Sequence, residues 1–191
     1  MAASADVTDD IAVRAMVDVV SAGFGPIDIL VNSAGIPAEA TTGRFVESSR
    51  DDWPLWVDLN LYAPMQTTHA VLGPMCERGW GRVLAISSYA SRAASRNGLS
   101  VYGAAKGGLE SFMRHIALES APSGVTVNTV ALGTMSHLRG EPASADHAGA
   151  IPVGRLGTPE DVGWLIAFLA SDRASWITGQ TVHLNGGAFM S

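Results

Sequence analysis

Ser100-Val-Tyr102-Gly-Ala-Ala-Lys106-Gly-Gly-Leu-Glu110-Ser-Phe-Met-Arg-His-Ile-Ala-Leu-Glu119 is the stretch around which the rest of the chain is read. Its apolar residues Ala105, Leu109, Phe112, Met113, Ile116 and Ala117 recur at spacings of three and four, which predicts a helix with one continuous buried face. Tyr102 and Lys106 lie four residues apart and so share that face. Lys106 is the only lysine in the chain, the other basic residues all being arginines. A lysine directed at a core is costly unless it snorkels to solvent or its charge is needed where it sits. In the second case the chemistry is acid–base: a free phenol titrates near 10, and an ammonium one turn away favours the phenolate. The compact ammonium suits simultaneous contact with a phenol and a sugar hydroxyl better than a planar guanidinium does.

The segments on either side alternate between strand and helix. Thr8, with Asp9 and Asp10 behind it, predicts a helix start, and Val13, Met16, Val17 and Val20 its buried face, ending near Gly23. Ile27 to Val31 reads as a buried parallel strand running into Asn32-Ser-Ala34-Gly35. Residues 36–48 read as loop. A long helical region follows, opened by Ser48, Ser49 and Asp51, with Pro54 in its first turn. Asn60 falls in its middle and Pro64 predicts a bend there. Gly81 to Ser88 is a strand ending in two hydroxyls, and Gly124 to Ala131 is another buried strand. Residues 134–150 read as a mobile loop containing Met135, Leu138, His137 and His147, and neither histidine has partners at metal-ligand spacing. Thr158-Pro-Glu-Asp161 starts a further helix with the stripe Val162, Leu165, Ile166 and Leu169, and a last strand follows Ile177. This alternation predicts an α/β fold, a doubly wound parallel sheet with helices on both faces, in a single domain over 1–191.

Tyr-x-x-x-Lys at the start of such a helix resembles the active-site signature of the short-chain dehydrogenase/reductase family, and the chain is similar to its 3-oxoacyl-reductase-like members. Asn32-Ser-Ala-Gly35 resembles the family's Asn-Asn-Ala-Gly, and the Ile177-to-Gly187 stretch resembles its last strand. The resemblance implies a Rossmann-like fold, NAD or NADP as cofactor, and a small carbonyl or alcohol substrate. It implies Tyr102 as acid–base residue, Lys106 as its neighbour and ribose ligand, Ser88 (or Ser87) orienting the carbonyl, and Asn60 ordering a relay water. Ser88 is favoured, although it lies fourteen residues before Tyr102 where the family usually has about thirteen. Asp6, Val7, Asn32, Ala34, Gly35 and Gly133 would line the cofactor with Tyr102 and Lys106. After Ala131 the chain departs from the family pattern, with Leu132 for a proline before Gly133 and His137 for a threonine. Aligned on these motifs, the chain begins at the Asp6-Val7 that would end the family's third strand. The expectation is therefore an N-terminally incomplete three-layer α/β/α sandwich, with the Gly-rich phosphate loop preceding Met1, binding cofactor weakly by itself. The alternatives are a non-catalytic or truncated member serving as a folded, oligomeric module, and an extended-branch epimerase, which would need a larger C-terminal domain. The family also implies a homodimer or homotetramer through the Tyr102 helix, whose back carries Ala104, Gly107, Gly108, Ser111 and Leu118.

Composition agrees with a compact enzyme-sized domain: 191 residues, 47% apolar and 16% charged, exclude disorder. The net charge of −6 disfavours nucleic acid as a partner. No apolar run reaches membrane-spanning length, so no membrane partner is expected. The single Cys76 forbids an internal disulfide and, with no signal-peptide pattern at Met1, predicts a cytoplasmic protein.

Overall fold

A computed structural model describes residues 2–36, 42–94, 98–138, 141–142 and 145–190. Four strands form one parallel sheet in the order β1 (Ile29–Asn32), β2 (Gly81–Ser88), β3 (Val125–Leu132) and β6 (Thr181–Leu184). Because strand side chains alternate, each strand feeds two cores. Val83, Ala85, Val125 and Val127 pack against α3 (Ala63–Arg78) and α4 (Ser100–Ser120), with Val17 of α1 (Asp10–Phe24) at the margin. Leu84 and Val130 face the other way, onto Leu169 and its neighbours on α5 (Pro159–Leu169). Helices thus cover both faces of a parallel sheet, the doubly wound Rossmann-like arrangement expected from the alternation. β1 lies at one edge, where Ile29 and Val31 remain 45% and 38% exposed.

The helix ends follow local chemistry. Asp9, not Thr8, caps α1, because its carboxylate reaches Ile11 N at 2.9 Å and Ala12 N at 3.3 Å. Thr8 is engaged instead by Asp6 Oδ1, which accepts its N–H at 2.9 Å and its hydroxyl at 2.7 Å. The helix runs one residue past Gly23 and ends at Gly25, whose φ of 88° favours glycine. α5 begins as expected, with Thr158 and Asp161 capping each other's backbone N–H groups and Pro159 in the first turn. α4 buries Ala105, Leu109, Met113 and Ala117 along the predicted stripe.

Two segments differ from expectation. The long helical region is broken: α2 (Trp53–Val57) leads through a π-helical turn over Asp58–Tyr62 into α3. A π turn adds a residue to the hydrogen-bonded ring, and it falls on Asn60, the position at which the bend was expected. The 134–150 stretch, expected as a mobile loop, carries the antiparallel pair β4 (His137–Leu138) and β5 (Glu141–Pro142) and a 3-10 helix over Ala145–Ala150. Its start is fastened, since Ser136 N donates to Gly157 O at 2.8 Å and Gly157 N to Thr134 O at 3.1 Å. Among the described residues, no helix is long and apolar enough to cross a membrane.

Candidate active site

The carboxyl ends of β1, β2 and β3 lie side by side, and parallel α/β sheets place ligand crevices at such ends. β2 ends in Ser88, and α4 returns along the sheet so that Tyr102 stands over it. The Ser88 side chain lies beside the Tyr102 phenol, close enough to influence its titration. Burial holds the Tyr102 phenol above its ordinary range, while Ser88 pulls it down. The edge of the Trp56 indole fixes the other side of the phenol ring, at 5.5 Å between centroids.

Ser87 and Ser88 point to opposite faces, and this separates their uses. Ser87 Oγ donates to Glu110 Oε1 at 2.8 Å, and Ser91 Oγ to the same oxygen at 2.5 Å. Arg92 Nε donates to Glu110 Oε2 at 3.2 Å. Ser87 is thereby committed to a buried carboxylate, and Ser88 is the hydroxyl presented to Tyr102. Glu110 is the member of this set that the sequence reading missed. The signal was present in the same stretch: Tyr102, Lys106 and Glu110 follow each other at four-residue spacing along one helix face.

Lys106 is only 1% exposed and does not snorkel. Its Nζ donates to Ile86 O at 2.7 Å and sits 5.8 Å from the centroid of the Tyr102 ring. Burial lowers its pKa to about 8, with the negative charge of Glu110 acting in the opposite sense. The ammonium was expected to draw the phenol down. Here burial of the phenol is the larger influence, and it raises the pKa.

Asn60 is wholly buried. The π turn aims it inward, where Nδ2 donates to Trp56 O at 2.9 Å and Oδ1 has no partner among the described residues. A methyl group added at Gly35 would lie 3.6 Å from both Asn60 Oδ1 and Lys106 Nζ, so the three converge on one small space. Asn32 is a brace: its Oδ1 accepts from Thr67 Oγ1 at 2.6 Å and its Nδ2 donates to Thr68 Oγ1 at 3.4 Å, tying β1 to α3. Ala34 follows on the exposed segment after β1. Gly133, just past β3, is pressed against the last strand's exit, where an added Cβ would meet Asn185 Cα at 2.8 Å. Asp6 and Val7 precede α1. That helix packs against α3, and no contact joins them to Tyr102, Lys106 or Asn60 among the described residues. The Asp6 carboxylate is engaged by Thr8, which also lowers its pKa.

A family model described as enoyl-(acyl carrier protein) reductase matches residues 1–188. A 3-oxoacyl-[acyl-carrier-protein] reductase, FabG, of Salmonella typhimurium is 36% identical over 189 residues, covering 97% of this chain and 76% of that protein. Nodulation protein G of Azospirillum brasilense is 37% identical over 189 residues, covering 97% and 75%. An acetoacetyl-CoA reductase of Shinella zoogloeoides is 38% identical over 175 residues, covering 89% and 71%.

Proposed function

Since the chain belongs to the short-chain dehydrogenase/reductase family, we propose that it is an NAD(P)-dependent oxidoreductase whose working residues are Tyr102, Lys106, Ser88 and Asn60, interconverting a carbonyl and a secondary alcohol. The observation that carries this reading is the placing of the Ser88 hydroxyl beside the buried Tyr102 phenol, with Lys106 one turn along the same helix face. Two hydroxyls at one strand end can grip a single carbonyl oxygen, one donating while the other delivers the proton. Raised by burial, the Tyr102 phenol is a proton donor at neutral pH, the form that carbonyl reduction requires. Lys106, whose pKa of about 8 keeps it mostly charged at neutral pH, stabilises the phenolate left behind. Asn60 Oδ1, buried opposite Lys106 without a partner among the described residues, is an acceptor for a water that returns the proton.

The residues at this end fit a nicotinamide nucleotide. Lys106 Nζ spends one of its three donors on Ile86 O, leaving two for ribose hydroxyls. The space above Gly35 is one that a side chain would partly fill, and Gly133 lets the backbone close beside Asn185. When bound, the nicotinamide supplies or accepts the hydride.

The relatives named for 3-oxoacyl and acetoacetyl-CoA reduction point to a 3-oxoacyl thioester as substrate. The test is spectrophotometric: wild-type protein with acetoacetyl-CoA and either NADPH or NADH, beside Ser87→Ala and Ser88→Ala. Ser88→Ala is expected to lose roughly 10²-fold in kcat while Ser87→Ala loses stability first. Wild-type protein that binds neither nucleotide would favour a folded, non-catalytic module instead. For assembly we propose a homodimer or homotetramer using the outer face of α4, where Leu118 is exposed. Gly108 is already packed against Leu61 of its own chain, so this contact rests on Ala104, Gly107, Ser111 and Leu118. Light scattering at micromolar concentration measures it, and a monomer would contradict it.

A further inference from the structure

Among the described residues, a pocket of about 110 Å³ opens beside Tyr102, lined by Phe45, Trp53, Trp56 and Val101 among others. Most of its apolar wall is aromatic. Phe45 and Trp53 stack at 5.3 Å between ring centroids, and Trp53 Nε1 donates to Ser48 Oγ at 3.1 Å. Trp56, 7% exposed, meets the Tyr102 ring edge-on. Another wall is backbone: Gly43 and Gly98 both line the pocket, and a Cβ at Gly98 would collide with the Gly43 carbonyl oxygen. The segments that follow β1 and β2 therefore touch here, so the pocket cannot widen on this side without parting two main chains. Its charged residues are Arg44, Glu47 and Asp52. Arg44 pairs with Glu47 at 3.5 Å, which leaves the Asp52 carboxylate as the surplus charge.

These dimensions sort the two ends of a 3-oxoacyl thioester, an inference that rests on the reductase reading above. With its ketone at Tyr102, such a substrate has an alkyl end on one side and a long thioester arm on the other. A cavity of about 150 Å³ takes one benzene ring, so this smaller pocket holds roughly four carbons. The thioester arm is far too long for it, so the alkyl end enters and the arm leaves the other way. Aromatic walls suit an alkyl group, and the surplus carboxylate disfavours a chain that ends in an acid. We propose that Trp56, with Trp53 and Phe45 behind it, sets the chain length of the substrate. The pocket admits the methyl end of an acetoacetyl thioester and excludes alkyl ends longer than about four carbons. Trp56 has the largest share, because it forms the wall next to Tyr102, where the alkyl end begins.

The test reads binding, so that selection is separated from catalysis. The full chain is labelled with 5-fluorotryptophan and titrated with the N-acetylcysteamine thioesters of 3-oxobutyrate and 3-oxodecanoate. NAD+ or NADP+ is present, so no reduction occurs, and fluorine NMR follows the tryptophans, assigned by Trp53→Phe and Trp56→Phe. Saturable shifts at Trp53 and Trp56 are expected, with the other three tryptophans unmoved and the 3-oxobutyryl thioester binding at least tenfold more tightly. An open cleft gives the opposite order, because each buried methylene adds affinity. Trp56→Leu should abolish the preference. Phe45→Ala, at a half-exposed position, should fold normally and reduce the preference severalfold. Equal or tighter binding of the 3-oxodecanoyl thioester to wild type, a preference unchanged in both variants, or no saturable shift at Trp53 and Trp56 would overturn the proposal. Turnover with the reduced nucleotides, measured in parallel, reports the reductase reading separately. Reduction of both thioesters with equal kcat/KM would overturn the chain-length selection and leave that reading standing. Selective binding without turnover would uphold the selection and remove the reading.

Discussion

Replacing Lys106 with Met isolates the energetic cost of a charge in the core. Met has similar length, forms helices well and suits a buried site. Lys106 titrates at about 8 in the folded protein, against about 10.4 in an unfolded chain. The folded value is depressed, so between these pH values the unfolded state binds more protons and stability rises with pH. Below the folded value both states are charged and the full penalty is present. Above the unfolded value both are neutral and it is gone. The gap corresponds to about 3 kcal/mol of stability that wild type gains between about pH 7 and pH 11 and Lys106→Met does not. The assay is urea unfolding of both proteins at pH intervals across that window, plotted as the difference so that shared titrations cancel. Parallel curves would refute the reasoning, because they would mean that Lys106 is as well solvated folded as unfolded. A difference falling with pH would mean that Glu110 outweighs burial.

Glu110→Gln removes the charge that Ser87, Ser91 and Arg92 share, and should cost about 2–3 kcal/mol in chemical denaturation while moving the Lys106 titration further down. Gly133→Ala places a Cβ 2.8 Å from Asn185 Cα, so the β3–β6 exit must shift; a loss of about 1–3 kcal/mol and weaker nucleotide binding are expected by thermal unfolding and titration. Thr158→Ala removes one half of the reciprocal cap on α5 and should cost about 1 kcal/mol without changing turnover.

The fold was legible wherever periodicity was strong. The Tyr102 helix, the Gly81–Ser88 strand and the Thr158 cap stand where their patterns put them, since burial on one face leaves little choice of register. Boundaries set by competing caps were not: Thr8 and Asp9 are both good caps, and Asp6 decides between them by engaging Thr8. Asn60 could be marked as a misfit in a helix, but its direction depends on a π turn that adds a fifth residue to the ring, which a 3.6-residue pattern cannot encode. That Ser87 is held by Glu110 while its neighbour Ser88 is not depends on strand parity and on a carboxylate hidden among the polar residues of α4. The state of the Tyr102 phenol was misjudged because sequence shows the neighbouring charge but not the desolvation.

The most direct test of the account is single-turnover reduction of acetoacetyl-CoA by Tyr102→Phe with NADPH or NADH. The variant loses the proposed proton donor beside Ser88 but keeps the ring against Trp56. Native-like unfolding and nucleotide binding are therefore expected, with the hydride-transfer rate lower by ~10²–10⁴-fold. A variant that folds, binds nucleotide and reduces the thioester at near wild-type rate would contradict Tyr102 as the acid–base residue.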